Sequence, residues 1–153
     1  MESTGHPKAE FHIRSFATPD LDGLCTLMAD LGYPTTASEL AVRMDRMPPD
    51  FYHTFVAEAS GQVVGFIGVG TMPVYEMSGP LGWVLALSVA GSHRRRGIGR
   101  ALLAAAEAHC LSRGATDVRL HSGLPRAEAH EFYEAAGYTK TGYRFKKTLH
   151  PQP

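Results

Sequence analysis

The sequence has few cysteines and no long apolar run, and each of these absences excludes a class of protein. Only Cys25 and Cys110 are present, and no C-x-x-C pair occurs, so neither a disulfide framework nor a cysteine-based metal site is expected. No apolar run reaches the roughly 18 residues that a membrane span requires. Residues 1–10 lack the apolar core of a signal peptide. These observations predict a cytoplasmic protein with free thiols.

An excess of charge of either sign is also absent, because 15 Lys and Arg residues balance 15 Asp and Glu residues. Nucleic-acid-binding domains usually carry an overall basic field, so nucleic acid is not an expected partner. The eight histidines show no spacing typical of metal ligands. The length of 153 residues predicts a single domain over 11–149, between a flexible leader, 1–10, and a short tail, 150–153.

Against this neutral background, one segment combines three arginines with two glycines. Arg94, Arg95 and Arg96 precede Gly97 and Gly99, between an apolar run and a helical pattern. The start of a helix offers unpaired N–H groups and the positive end of its dipole, and glycine lets an anion approach the backbone closely. This order of strand, basic glycine loop and helix predicts a site for a phosphate-bearing ligand. The alternative is a solvated basic turn that caps an ordinary helix.

Two common phosphate-binding motifs do not fit this segment. A P-loop requires Gly-Lys followed by Ser or Thr, which occurs nowhere in the chain. A dinucleotide fingerprint requires a third small residue, but Leu102 stands at that position. It also requires an acidic residue about 20 positions later, where Arg119 and Leu120 lie. What remains is Arg-x-x-Gly-x-Gly over residues 94–99.

Hydrophobic periodicity and turn residues predict the element order β-α-α-β-β-β-α-β-α-β-β. This order indicates an α/β (α+β) fold with a mixed sheet of about six or seven strands and four helices. The predicted strands are 11–16, 52–58, 62–71, 83–89, 117–122, 138–141 and 144–149. The predicted helices are 18–31, 36–47, 99–113 and 126–136.

Local signals add detail to three of these elements. Thr18 is predicted to cap the first helix, and Thr36 begins a capping box at the second. Strand 83–89 is apolar on both faces, which predicts cover on both sides. The helix that follows it presents one apolar stripe that includes Leu111. The three glycines of strand 62–71 indicate bulges or the close approach of another element.

The Arg-x-x-Gly-x-Gly loop resembles the [QR]-x-x-G-x-[GA] pyrophosphate loop of the GNAT superfamily of acetyl-CoA-dependent N-acetyltransferases. Ala86-Leu87-Ser88-Val89 is similar to the superfamily's fourth strand, and residues 132–138 are similar to its F-Y-E-x-x-G-[FY] segment. The predicted element order is also that of the GNAT fold, so the resemblance extends over 11–149 and implies a mostly antiparallel sheet. It implies an enzyme that moves the acetyl group of acetyl-CoA to a primary amine of a small molecule or peptide, by direct attack in a ternary complex.

The resemblance also implies roles for particular residues. The backbone of Leu87, Ser88 and Val89 would bind the pantetheine arm of acetyl-CoA between splayed fourth and fifth strands, and its amides would polarise the thioester carbonyl. Tyr133 would donate a proton to the departing thiolate; its alternative role is a core aromatic beside Phe132. The residues implied to hold the diphosphate are Arg94, Arg95, Arg96, Gly97, Ile98, Gly99 and Arg100.

The sequence departs from the family pattern at the residues that would accept the proton of the amine. Many relatives carry E-x-E before the A-L-x-V stretch, whereas Trp83 and Leu85 stand here. Glu76 and His121 are candidate bases, with a solvated loop charge and a strand-edge histidine as their alternatives, and direct loss of the proton to water is a further route. The apolar pair is also consistent with an apolar acceptor, or with a catalytically weak or inactive module that binds acetyl-CoA or CoA.

A weaker likeness concerns the end of the chain. Arg126, the A-H-x-F-Y pattern over 129–133 and the Y-R-F-x-K-x-L pattern over 143–149 resemble a subgroup that includes aminoalkylphosphonate N-acetyltransferases. In that interpretation Arg126, Arg144 and Lys146 face an anionic acceptor; in the alternative they are solvated surface charges. Members of the superfamily are often dimers, which leaves a homodimer open.

Overall fold

The computed structural model describes residues 10–122 and 127–150, and the chain forms two compact units, Met1–Leu120 and His121–Pro153. Most of the predicted leader, the turn at 123–125 with Arg126, and residues 151–153 lie outside the described residues. The elements of the first unit are β1 (His12–Ser15), α1 (Leu21–Asp30), α2 (Ala37–Asp45), β2 (Tyr52–Ala59), β3 (Gln62–Met72), β4 (Leu81–Val89), α3 (Ile98–Ser112) and β5 (Val118–Leu120).

The five described strands form one sheet in the order β1-β2-β3-β4-β5. The first three pairings are antiparallel and the β4–β5 pairing is parallel. A parallel pairing needs a crossover, and α3 supplies it between β4 and β5. The predicted order of elements and the mixed, mostly antiparallel sheet are therefore confirmed through the fifth strand.

Short-range signals in the sequence correspond to local geometry. Thr36 and Glu39 form the predicted capping box at the start of α2. The Glu39 N–H donates to Thr36 Oγ1 at 3.1 Å, and the Thr36 N–H donates to Glu39 Oε2 at 3.2 Å. Ser60 and Gly61 join β2 to β3 with φ angles of 51° and 76°. Both values are positive, as a two-residue hairpin turn of the primed type requires.

Helices cover opposite faces of the sheet, as neighbouring residues of β3 show. Phe66 packs with Leu24 and Leu27 of α1 in one buried cluster. At Gly65, an added Cβ would lie 3.1 Å from Leu102 Cδ1 of α3. Since successive residues of a strand point to opposite faces, α1 and α3 lie on opposite sides. The close approach that the glycines of this strand predicted is confirmed at Gly65.

The first helix begins differently from the prediction, because Thr18 is not its cap. A short 3-10 turn, Thr18–Asp20, precedes α1, and Ala17 comes before it. The buried Asp20 carboxylate accepts the Ala17 N–H at 2.8 Å and two guanidinium N–H groups of Arg14 at 2.7 and 2.8 Å. These hydrogen bonds to Arg14 hold the pKa of Asp20 below its usual range. The carboxylate satisfies the backbone donor and the guanidinium together, which a hydroxyl does not.

Two predictions of burial are wrong. Leu111 is 67% exposed, so the buried stripe of α3 runs through Leu102, Leu103, Ala106 and Cys110 without it. Leu85 is 45% exposed, so β4 is not covered on both faces along its whole length. An apolar residue type indicates a preference for burial, but the elements packed against it decide whether it is buried.

The second unit contains α4 (Ala127–Ala135), which ends before Gly137 at a φ of 96°. The predicted strands 138–141 and 144–149 are wrong, because residues 138–150 form no strand in the structure. Tyr143, Phe145 and Leu149 alternate as a half-buried strand would, yet all three are exposed. A strand exists only where a neighbour completes its hydrogen bonds. The described sheet therefore has five strands and not six or seven.

Candidate active site

β4 extends beyond the end of its pairing with β5. The two strands pair from Gly82↔Val118 to Val84↔Leu120, while β4 continues to Val89. The described ladder thus ends at Val84↔Leu120, where β5 itself ends, and the expected separation of the fourth and fifth strands stays a prediction. Beyond Val84, the side of β4 that faces away from β3 has no partner among the described strands.

The direction of the amides in this extension follows from one hydrogen bond. The Ala90 N–H donates to the Val64 carbonyl of β3 at 2.8 Å. Because hydrogen-bonded and non-hydrogen-bonded pairs alternate along an antiparallel ladder, the N–H groups of Leu87 and Val89 point away from β3. They face the edge at which β5 has ended. Ser88 lies between them, and its buried hydroxyl donates to the Leu27 carbonyl of α1 at 3.1 Å.

The arginine-glycine loop follows directly on this edge. Gly91–His93 form a 3-10 turn, and the exposed Arg94, Arg95 and Arg96 come next. Arg94 Nε donates to the Val89 carbonyl at 3.4 Å, which ties the loop back to the end of β4. The edge of β4 and the basic loop are therefore adjacent in the structure.

The loop turns into α3 through two residues in the left-handed region. Arg95 has a φ of 61° and Gly97, the residue before the helix, a φ of 83°. Glycine is the residue that adopts this conformation without strain. Gly97 also brings no side chain to cap the first-turn N–H groups of α3. Nothing in the sequence predicted the conformation of Arg95, since arginine has no preference for the left-handed region.

The start of α3 is held in place by packing. Ile98 is 1% exposed, and its Cγ2 would lie 3.2 Å from a Cβ at Gly65 of β3. Gly99 and Arg100 follow it in the first helical turn. The first-turn N–H groups carry the positive end of the helix dipole, so this rigid helix start is suited to an anion.

In the first unit, the candidate base Glu76 is exposed, and an apolar residue stands at a position where many relatives carry a glutamate. Trp83 is half-buried on β4. Glu76 Oε1 lies 3.5 Å from Arg119 Nη1, and both side chains are exposed.

The second unit holds the remaining predicted residues. Tyr133 lies on α4, half-buried, with its ring edge-to-face to Phe132 at 5.2 Å and to Tyr138 at 5.9 Å between centroids. Its carbonyl accepts the Tyr138 N–H at 2.9 Å. His121, Arg144 and Lys146 are exposed. Arg126 is outside the described residues.

Within residues 10–122 and 127–150, no three His, Cys, Asp or Glu side chains cluster as metal ligands. No helix of that same part combines the length and the apolar character that crossing a membrane requires.

Comparison with known proteins identifies the family. The family model of the acetyltransferase (GNAT) family matches residues 22–138, a range that contains β4, the loop and α4. The chain belongs to this family. N-acetyltransferase 8 of Rattus norvegicus is 37% identical to the GNAT chain over 99 residues, which cover 62% of this chain and 43% of the rat protein. The chain therefore spans less than half the length of that relative.

Two other relatives match the GNAT chain over most of its length. Aminoalkylphosphonate N-acetyltransferase of Salmonella typhimurium is 28% identical over 142 residues, 90% of each chain. The solved structure of an aminoglycoside N-acetyltransferase in complex with CoA has a TM-score of 0.81. It is 20% identical and covers 93% of this chain and 96% of its own, so it shows a shared fold.

Proposed function

We propose that this chain is an N-acetyltransferase that moves the acetyl group of acetyl-CoA to a primary amine of a small molecule or peptide. The observation that carries the proposal is the continuity of the β4 edge with the arginine-glycine loop. The N–H groups of Leu87 and Val89 point to that edge, and the strand leads through the loop to the start of α3. A ligand with amide groups along its length and a diphosphate at one end fits this arrangement.

The loop is the proposed site of the diphosphate. Gly97 allows the sharp turn, and the first-turn N–H groups of α3 would donate to the phosphate oxygens. The helix dipole contributes about 0.3–1 kcal/mol to such an anion at an exposed site. The exposed arginines 94–96 add charge and bidentate hydrogen bonds.

The edge of β4 is the proposed site of the pantetheine arm. An extended chain of amides would add to this edge as another strand does, with the N–H groups of Leu87 and Val89 as donors. The same row of donors would polarise the thioester carbonyl and stabilise the oxyanion that forms on attack. The loss of one such donor typically costs about 3–4 kcal/mol of transition-state stabilisation.

The proposed chemistry is a direct transfer in a ternary complex. The neutral amine nitrogen attacks the thioester carbonyl carbon, which forms the C–N bond and a tetrahedral oxyanion. The C–S bond breaks as the carbonyl re-forms, and the nitrogen, positively charged after the attack, loses a proton to water, from which the proton donor is restored. The departing thiolate takes a proton from a donor, which we assign to the Tyr133 hydroxyl on its match to the family segment. Tyrosine, with an ordinary pKa of about 10, holds its proton at neutral pH and can give it to the thiolate.

The amine must also lose a proton, because an alkylamine is mostly an ammonium ion at neutral pH. Trp83 and Leu85 offer no carboxylate for this step. We propose that the proton leaves to water. Glu76→Gln and His121→Gln test this directly: a loss of kcat/KM by tenfold or more in either variant would identify that residue as the base and overturn release to water.

A second candidate function is a module that binds acetyl-CoA or CoA without turnover. The observation that favours it is the same pair of apolar residues at the positions of the family carboxylates. Calorimetric titration with CoA and detection of the acetylated amine by mass spectrometry separate the two functions. Binding without product across amines of different chemistry favours the module, whereas product favours the enzyme.

The Tyr133→Phe variant tests the proposed proton donor of the enzyme. Product is measured by mass spectrometry and not by thiol titration, because Cys25 and Cys110 are themselves free thiols. We expect kcat to fall by about 10²–10⁴-fold, the usual contribution of a general acid, with an unchanged dissociation constant for CoA. An unchanged kcat would remove Tyr133 from the proton-donor role.

A further inference from the structure

Leu85 occupies an unusual position on β4. In the β3–β4 register Gly68 pairs with Ala86 and Val69 with Val84, so Leu85 is an extra residue with no partner on β3. This is a β-bulge, which changes the direction of a side chain relative to a regular strand. The Leu85 side chain is 45% exposed, although it belongs to an interior strand of the sheet.

The Leu85 side chain lies across two glycines of β3. From the position of a Cβ at Gly70, Leu85 Cδ1 is 3.7 Å away and Met72 Cε is 3.2 Å away. A Cβ added at Gly68 would lie 4.0 Å from Leu85 Cβ, the nearest atom to it. Trp83 pairs with Gly70 and therefore shares this face. We call Gly68, Gly70, Met72, Trp83 and Leu85 the β3–β4 apolar surface.

This surface adjoins the proposed transfer site. Val84 is the last residue of β4 that pairs with β5, and Leu85 is the next. The apolar surface thus begins where the β4–β5 ladder ends and where the β4 amides would become available to a thioester. A molecule whose amine reaches the thioester from this face would contact Leu85.

The charge beside the surface is balanced. Arg119 pairs with Trp83 in the β4–β5 register, and its guanidinium lies 3.5 Å from the Glu76 carboxylate. Glu76 offsets the positive charge of Arg119, which would otherwise attract a phosphonate. Arg119 likewise offsets the negative charge of Glu76, which would otherwise attract a second ammonium group of the acceptor. An acceptor is therefore selected here by apolar contact.

We propose that the acceptor is a primary amine on an apolar body, an alkylamine or arylalkylamine, whose body packs on Leu85 over Gly68 and Gly70. This inference rests on the proposed function and adds the class of substrate. Polyamines, aminoglycosides and aminoalkylphosphonates are disfavoured because their polar groups would lose water at this surface without gaining partners.

The test is a series of acceptors with increasing apolar area. The specificity constant kcat/KM is determined from product formation, followed by mass spectrometry, for n-propylamine to n-heptylamine and for 2-phenylethylamine. Spermidine and aminomethylphosphonate are the polar comparators. We expect kcat/KM to rise by about fourfold for each buried methylene. A flat series, or a higher kcat/KM for either polar comparator, overturns the proposal and leaves the acetyltransferase function standing.

Two matched variants locate the effect. Leu85→Asn replaces the apolar side chain by an uncharged polar one of similar size, without supplying a proton acceptor, and should lower kcat/KM for heptylamine by at least tenfold and that for spermidine by less. Leu111→Asn makes the same change at an exposed leucine on α3 and should leave both values unchanged. An equal loss in the two variants would show a general effect of the substitution and contradict the assignment of Leu85.

A binding measurement covers the case in which no amine is acetylated. Heptylamine is titrated calorimetrically into the protein saturated with CoA, which needs no turnover. Binding that Leu85→Asn weakens at least tenfold supports the acceptor class, even though absent product contradicts the proposed enzyme. Absence of heptylamine binding to the CoA-loaded protein overturns the acceptor class.

Discussion

Replacement of Gly97 by alanine tests the arginine-glycine loop, because the structure separates backbone strain from steric conflict at this residue. Gly97 has a φ of 83°, and an added Cβ would meet no heavy atom within 4 Å. The methyl group therefore has room, and the cost is conformational, about 1–2 kcal/mol for an L-residue in the left-handed region. For a chain of this size we expect the midpoint of thermal unfolding to fall by about 2–8 °C.

The effect on CoA follows from the same strain. Any part of the strain that the free Gly97→Ala loop relieves by relaxing toward negative φ does not appear as lost stability, and it opposes binding of the diphosphate instead, because binding requires the original conformation. The dissociation constant for CoA should rise by up to about 5–30-fold, the factor that corresponds to 1–2 kcal/mol. Calorimetric titration measures the constant, and circular dichroism measures the unfolding.

Gly114 offers a matched control at the other end of α3. Its φ is 91°, and an added Cβ would lie 3.9 Å from Pro80 Cδ, an ordinary contact. The helix of 15 residues that lies between the two glycines is about 22 Å long, so they lie far apart. Gly114→Ala should lose similar stability and bind CoA as the unchanged protein does. Equal CoA affinity in both variants would refute the assignment of the diphosphate to the loop.

Two further predictions concern stability. His53 and His109 stack with centroids 4.7 Å apart, and burial lowers the pKa of both. The unfolded chain therefore binds more protons than the folded chain, so the free energy of unfolding should fall as pH drops below about 6.5. In His109→Gln this fall should be less steep. Parallel pH profiles of the two proteins, measured by urea melts, would contradict the prediction. Gly82→Ala places a Cβ 2.6 Å from Cys110 Sγ and should lower the free energy of unfolding by about 1–3 kcal/mol. The loss should be smaller when Cys110→Ala is also present. If the effects of the two substitutions simply add, this contact is not the cause.

Much of the architecture was predictable from local signals. The capping box at Thr36 and the hairpin at Ser60–Gly61 each depend on residues within a few positions, and both form as expected. The glycine before α3 was likewise evident, since its position between a strand and a helix requires a turn. The resemblance of the loop and strand four to one family was sufficient for the family assignment that the comparison confirms.

Other features depend on contacts that no local pattern encodes. The Thr18–Pro19–Asp20 sequence suggested a hydroxyl cap, but in the structure the Asp20 carboxylate accepts hydrogen bonds from the Ala17 N–H and from Arg14. Leu111 follows the apolar stripe of α3, yet no element covers it. The alternation over 144–149 describes a strand, but a strand also needs a neighbour to complete its hydrogen bonds.

The sequence by itself determined the order of elements through the fourth helix, the glycine-arginine loop between β4 and α3, and membership of the GNAT family, because these depend on residue types at short spacings. Only the tertiary structure decided where β4 stops pairing with β5 and that Leu85 is the extra residue of a bulge. Register and bulges are properties of two strands at once, since each hydrogen bond joins residues distant in the chain. Residue type at one position therefore does not specify them.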